Sequence, residues 1–229
     1  MIINVIRKSV ATALVVAGGS GTYLAMTTNL TSAIPADDEI WKTKSYVQLN
    51  RYHNPTIQDY SWKRLPLSKV RSDIRDNEEA IVTEFCRGVW AGYAYVPQRV
   101  LTTLALRNSK TEDQLFDKNQ LASAEYQLGT RFSDQFEVVE RTSNSVTVRA
   151  GGSPREPGPR EFDGMLILSA KVDKGAGMVE VGIKTAFFDS TAPVRDGKRP
   201  SPFFIELLHR FYARALVDSG ARRLTRTSP

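Results

Sequence analysis

Cysteine and histidine are scarce in this 229-residue chain, which holds one of the first and two of the second. A single cysteine, Cys86, excludes an intrachain disulfide framework. It sits in the apolar run Phe85-Cys86-Arg87-Gly88-Val89-Trp90 and reads as a small buried hydrophobe. A thiol nucleophile needs a base, and no local motif ties His53 or His209 to it. These three residues are too few and too scattered for a zinc site, so no metal is assigned. Catalytic signatures are missing too. Gly18-Gly19-Ser20-Gly21 is neither a nucleophile elbow nor a phosphate-binding loop, and there is no dinucleotide fingerprint. No cofactor is expected.

Nucleic-acid reading motifs are also missing: no zinc-finger spacing, no aromatic RNA-binding signature, no basic region followed by heptads. The formal charge is nevertheless +6. Much of the excess lies in Arg210, Arg214, Arg222, Arg223 and Arg226, while signs alternate elsewhere, as in Lys69–Asp76. Nucleic acid is therefore not an expected partner, and a mildly basic surface suits an anionic bilayer.

What is present begins with an uncharged stretch from Ser9 to Ala36, preceded by Arg7 and Lys8. Residues 1–36 are expected to be a single-pass anchor on an endomembrane, with the basic end cytoplasmic. A cleaved signal peptide and an organellar presequence or peripheral helix stay open as alternatives, because the glycines weaken the apolar run. Asn29-Leu30-Thr31 is a glycosylation sequon that matters only inside the secretory lumen. Residues 37–77 form an irregular segment with Trp41, Tyr46, Tyr52, Tyr60 and Trp62, expected to wrap the domain and to hold a short strand at Tyr60–Leu65. The domain proper spans 78–224, and 225–229 is a tail. With 41% hydrophobic and 24% charged residues the chain has enough apolar material for one core, not two.

Asn77, Glu78 and Glu79 mark a helix start. Apolar residues from Ile81 to Leu104 then recur every three or four positions, interrupted at Gly92–Pro97, which predicts a kink or two helices. A short helix is expected around Asp113–Ala122. After Tyr126 the period falls to two: strands are predicted at Gln135–Arg141, Ser145–Ala150, Phe162–Asp173 and Met178–Asp189. In the last, Val179, Val181, Ile183, Thr185 and Phe187 share a covered face, and Glu180 and Lys184 are expected as a pair on a wet one. Ser201 and Pro202 open a final helix with Phe204, Leu208, Phe211, Tyr212 and Ala215 inside. This order predicts an α+β fold with N-terminal helices and a curved antiparallel sheet wrapped on a long C-terminal helix. Such a sheet leaves a cavity beneath the helix.

Tyr126-Gln127-Leu128-Gly129-Thr130-Arg131-Phe132 with Phe136-Glu137-Val138-Val139-Glu140-Arg141, then Phe162-Asp163-Gly164-Met165-Leu166 and Leu207-Leu208-His209-Arg210-Phe211-Tyr212, resembles the START-like, helix-grip superfamily of polyketide cyclases and lipid-transfer proteins. The whole chain, including Asn54-Pro55-Thr56 and Arg64-Leu65-Pro66-Leu67-Ser68, also resembles uncharacterised filamentous-fungal proteins, some of them in natural-product gene clusters. The resemblance implies a pocket for an apolar small molecule and leaves the reaction open.

Within such a pocket His209 could move a proton near neutral pH, or simply hydrogen-bond a loop. Tyr212 and Asp163 are the other candidate catalytic groups, although Asp163 and Asp189 are also ordinary turn formers. Trp90, Tyr93, Tyr126, Phe187 and Phe204 are candidate ligand contacts, with core packing as the plainer role. The expected function is a cofactor-independent cyclase, isomerase or pericyclase acting on an apolar terpenoid or polyketide. The alternative is a membrane-tethered carrier of a lipid or isoprenoid.

Overall fold

A computed structural model describes residues 21–194 and 203–225. Most of the expected anchor, the end of the tail and the side chain of Phe204 fall outside the described residues. Among the described residues, no helix is long and apolar enough to cross a membrane.

The fold is α+β, a curved antiparallel sheet with a long C-terminal helix. Its strands among the described residues are β1 (Asn29–Thr31), β2 (Ile57–Pro66), β3 (Arg131–Phe132), β4 (Phe136–Arg141), β5 (Ser145–Ala150), β6 (Asp163–Asp173) and β7 (Met178–Phe188), with lateral order β1-β2-β7-β6-β5-β4-β3. The helices are α1 (Lys44–Leu49), α2 (Glu78–Trp90), α3 (Val96–Leu106), α4 (Lys118–Ser123) and α5 (Phe203–Thr225). Residues 21–27 are also helical. Local chemistry sets the boundaries. Asn77 caps α2 by accepting the Ala80 amide at 3.1 Å. Between α2 and α3 a single tight turn, Tyr93–Tyr95, replaces a continuous helix, with Pro97 in the first turn of α3. The β6–β7 hairpin turns through Gly177 at φ +63°, a conformation that favours glycine.

β2 is the element that closes the sheet. It pairs with β7 along its whole length, from Ile57 opposite Phe187 to Pro66 opposite Met178. Ile57, Asp59, Ser61, Lys63 and Leu65 therefore share the inner face with α5, while Tyr60 and Trp62 stack outside with centroids 6.3 Å apart.

Two expectations change. The outer sheet face is not simply wet: the wrapping segment crosses it, and Ile34, Ile40, Ile167 and Ala186 form a second small core with Trp41, Tyr46 and Tyr60. Glu180 and Lys184 accordingly do not pair with each other. Glu180 accepts from Tyr60 at 2.8 Å and Arg64 at 2.9 Å, and Lys184 binds Asp38 at 2.7 Å. The inner stripe of α5 also differs. Ala213, Leu216, Val217, Ala221 and Leu224 are buried against α2 and β2, whereas Leu208 and Phe211 remain nearly half exposed. The face that α5 turns to the cavity carries Ile205, His209, Tyr212 and Leu216, which leaves Leu208 and Phe211 off that face.

On the inner face α2 lies over β5 and β6, α5 lies over β2 and β7, and the two helices pack together. Glu84 on α2 joins them, accepting from Arg87 at 2.6 Å, Arg223 of α5 at 2.8 Å and Arg71 at 3.3 Å. Burial pushes the Glu84 carboxyl up, but hydrogen bonds from Arg87 and Arg223 outweigh it and hold the pKa below its ordinary value. A depressed folded pKa gives stability that is fully present above the unfolded value, about 4.3, and is lost as pH falls through the folded one. Asp38, Asp134 and Asp218 shift the same way. Thermal unfolding between pH 7 and 3 should show a flat melting temperature down to about pH 4.5 and a fall below it. Glu84→Gln should shrink that fall. A main transition near pH 6 would contradict this assignment.

Candidate functional site

A cavity of about 500 Å³ lies between the inner sheet face and the N-terminal half of α5. Ile183, Thr185 and Phe187 of β7, Ile57 of β2 and Leu166 of β6 supply the sheet wall; Ile205, His209, Tyr212 and Leu216 of α5 face them. Trp90 ends α2 at the cavity. Around it gather Tyr95, Phe132 and Phe136, with ring centroids 4.9–5.2 Å from its own. The lining is mostly apolar, with a few polar groups set into it, the usual composition of a small-molecule site.

The most unusual of those polar groups is His209. Its Nε2 lies 3.2 Å from Thr185 Oγ1 and 3.1 Å from Asp59 Oδ2, and its ring meets the Phe187 edge at 5.3 Å. Asp59 and Thr185 are direct cross-strand partners, so β2 and β7 present both side chains on one face, beneath the helix. Asp59 is fully buried and sits behind the imidazole, not on the cavity wall. Neither of its carboxylate oxygens has a hydrogen-bond partner, so the His209 contact is an ion-pair distance rather than a formed hydrogen bond. A dry carboxylate without donors is costly to keep, and among the described residues His209 is the one cation-forming group at ion-pair distance from it.

A second polar chain starts from Tyr212 on the same helix. Tyr212 donates to Gln98 Oε1 at 2.9 Å, and Gln98 Nε2 donates to Gln135 Oε1 at 2.8 Å. Because each amide oxygen accepts, the chain ends on the Gln135 amide NH₂ at the cavity. Burial pushes the Tyr212 hydroxyl well above its usual range, so it stays a neutral donor. The rim beside Gln135 is held by Asp134, which accepts from Gln114 at 2.8 Å, Ser153 at 2.7 Å and Arg155 at 2.9 Å. Ser133 and Asp134 both adopt positive φ, +56° and +47°, and this network offsets the strain.

Of the residues expected at a site, His209, Tyr212, Trp90 and Phe187 are brought together around this cavity. Phe204 aside, whose side chain is outside the described residues, the others lie elsewhere. Asp163 is fully buried and held by Arg149 through two contacts, 3.0 and 2.7 Å, and by Ser190 at 2.8 Å. Arg149 also donates to Gly158 O at 2.9 Å, so the pair fastens the 151–162 loop to the sheet. Tyr93 points away, half exposed, and donates to Asp218 at 2.9 Å. Tyr126 is buried and donates to Leu121 O at 2.8 Å. Asp189 uses its carboxylate to accept the Thr191 amide at 2.8 Å, a turn role. Cys86 is buried, and burial pushes its thiol up to about 12, so it is an inert core residue.

Asp59, Thr185, Gln98 and Gln135 complete the arrangement and were not singled out by the sequence. Comparison of the chain with protein-family models, curated proteins and solved structures finds no match.

Proposed function

We propose that this protein is a cofactor-independent isomerase or cyclase that encloses an apolar terpenoid or polyketide and moves a proton on it with His209. The single observation behind this reading is the His209–Asp59–Thr185 cluster in the wall of an apolar cavity. A carboxylate and a hydroxyl at Nε2 favour the tautomer with its proton there, which leaves the Nδ1 lone pair as a base. The step balances without a redox partner. A substrate C–H beside a carbonyl breaks, Nδ1 takes the proton, and the electron pair moves into an enolate. Gln135, at the end of its polarised chain, donates to the enolate oxygen. The imidazolium then returns the proton at the far carbon of a conjugated enolate, or the enolate carbon attacks a carbonyl carbon within the same molecule to close a ring and the imidazolium protonates the alkoxide that forms. Asp59 acts as a positioning residue and stabilises the imidazolium.

The fold supports a helix-grip reading. A strand precedes three helices, a five-strand meander follows, the last long strand returns beside the early one, and a terminal helix lies across them. The apolar N-terminal stretch would tether this domain to a membrane with the substrate supply. A carrier of a lipid or isoprenoid is the second reading, favoured by the mostly apolar wall.

A strain lacking the gene should accumulate an intermediate that purified full-length protein converts without added cofactor. His209→Gln is expected to lower that conversion by about 10²–10⁴. Native mass spectrometry provides the contrast: a retained lipid, together with no conversion of any accumulated intermediate, would establish the carrier and sink the enzyme.

A further inference from the structure

Away from the cavity, on the other side of the α2–α5 pair, lies a second hollow of about 590 Å³. Its basic lining is Arg71, Arg87, Arg99, Lys118, Arg222 and Arg223, and among the described residues no acidic side chain lines it. We propose that this groove binds the phosphate or diphosphate group of an anionic ligand.

The charge bookkeeping favours an anion. Arg71, Arg87 and Arg223 share one buried carboxylate, Glu84, from behind. The further acids on Arg71 and Arg87, Asp73 and Glu125, are largely exposed and screened by water. Arg222 is held by Asp218 at 2.7 Å, which also takes Lys63 at 2.8 Å. Among the described residues, Arg99 and Lys118 have no acidic partner. Among the described residues, Arg99 Nη1 is moreover buried with no hydrogen-bond partner, so this guanidinium is incompletely satisfied by the protein.

Geometry selects phosphate over a diffuse counterion. Guanidinium groups form planar forks that match phosphate oxygens two at a time, and several of them line the same hollow. Arg222 is held in place, with its guanidinium carbon 5.4 Å from the ring centroids of both Tyr23 and Tyr93. Gly88 and Gly92 let α2 pack closely on α5 beneath the hollow, since a Cβ would meet Arg223 at 2.7 Å or Ser219 at 2.0 Å. The hollow is larger than one phosphate ion needs, which suits a diphosphate or a phosphate carried on a larger body.

The phosphate could arrive free or as a lipid headgroup, and titration calorimetry on the full-length chain separates them. Inorganic pyrophosphate and inorganic phosphate represent the free source, and soluble dihexanoyl phosphatidic acid the lipid one. Binding of either kind is expected to weaken with added salt and to fall by about tenfold or more in Arg99→Ala/Lys118→Ala. Neither residue touches the His209 cavity, so the result is independent of the catalytic proposal. Pyrophosphate affected in this way identifies a free phosphate ester; phosphatidic acid alone affected identifies a headgroup. Lys118→Ala by itself, at an exposed helix end, covers the case of a double variant that does not fold, with about a threefold loss expected. No binding tighter than about 1 mM by any probe, or binding indifferent to these substitutions, overturns the proposal.

Discussion

Asp59→Asn is expected to raise the melting temperature while lowering proton-transfer activity by about 10²–10⁴. The two effects have one origin. The Asp59 carboxylate is fully buried and neither oxygen is hydrogen-bonded, so it is desolvated without the usual compensation. Removing a buried charge ordinarily strands its partner and destabilises the fold. Here the partner is His209, whose side chain is 22% exposed and so keeps contact with water. No charge is stranded, and the gain from losing the dry carboxylate dominates, at about 1–3 kcal/mol. An amide in the same place no longer fixes the imidazole tautomer, and catalysis suffers. Circular-dichroism melting alongside the conversion assay reads both effects. A variant less stable than the parent with unchanged turnover would mean that Asp59 is an ordinary structural anion.

Gly88→Val is expected to destabilise by about 3 kcal/mol, or about 6–12 °C in melting temperature. On an exposed helix, replacing glycine usually helps, since glycine is the weaker helix former by about 1 kcal/mol against alanine. At Gly88 packing reverses the sign. A Cβ there would lie 2.9 Å from the Gly220 Cα and 2.7 Å from the Arg223 Cβ, which are held by the α5 backbone and cannot yield. The helices would have to part, breaking the Ser219–Gly88 hydrogen bond of 2.8 Å and loosening Glu84 from Arg223. Gly158→Ala, with nothing within 4 Å of the added carbon, is the matched control and should be near neutral. A Gly88→Val protein as stable as the control would show that the α2–α5 contact can slide.

Asp59 also shows where sequence reasoning stops. Ile57, Asp59, Ser61, Lys63 and Leu65 alternate correctly for a buried face, but three polar residues interrupt the apolar signal, and the aromatic residues Tyr60 and Trp62 fall on the opposite phase. Read by hydrophobicity alone, the strand presents its wrong face. Both faces are covered, one by α5 and the other by the wrapping segment, so polarity no longer reports depth. Lys63 is tolerated inside because Asp218 waits for it on α5, 155 residues later. The same holds for Asp163. A carboxylate at a strand end resembles a general acid until Arg149 is seen closing on it from the neighbouring strand.

The sequence by itself determined several elements and their approximate limits: the helix capped by Asn77, its break before Pro97, the hairpin at Asn144, the long β6–β7 pair and the terminal helix. These follow from capping, backbone restriction and periodicity, which act within a few residues of one another. It also placed His209, Tyr212, Trp90 and Phe187 as candidates, because each residue type bears its chemistry wherever it stands. Only the tertiary structure decided which partners they meet. Asp59 and His209 are 150 positions apart, and their 3.1 Å contact depends on strand register, helix depth and rotation together. Side-chain chemistry is local, but its environment is assembled by burial across the whole chain, and that environment sets a histidine on a helix between a buried carboxylate and an apolar cavity.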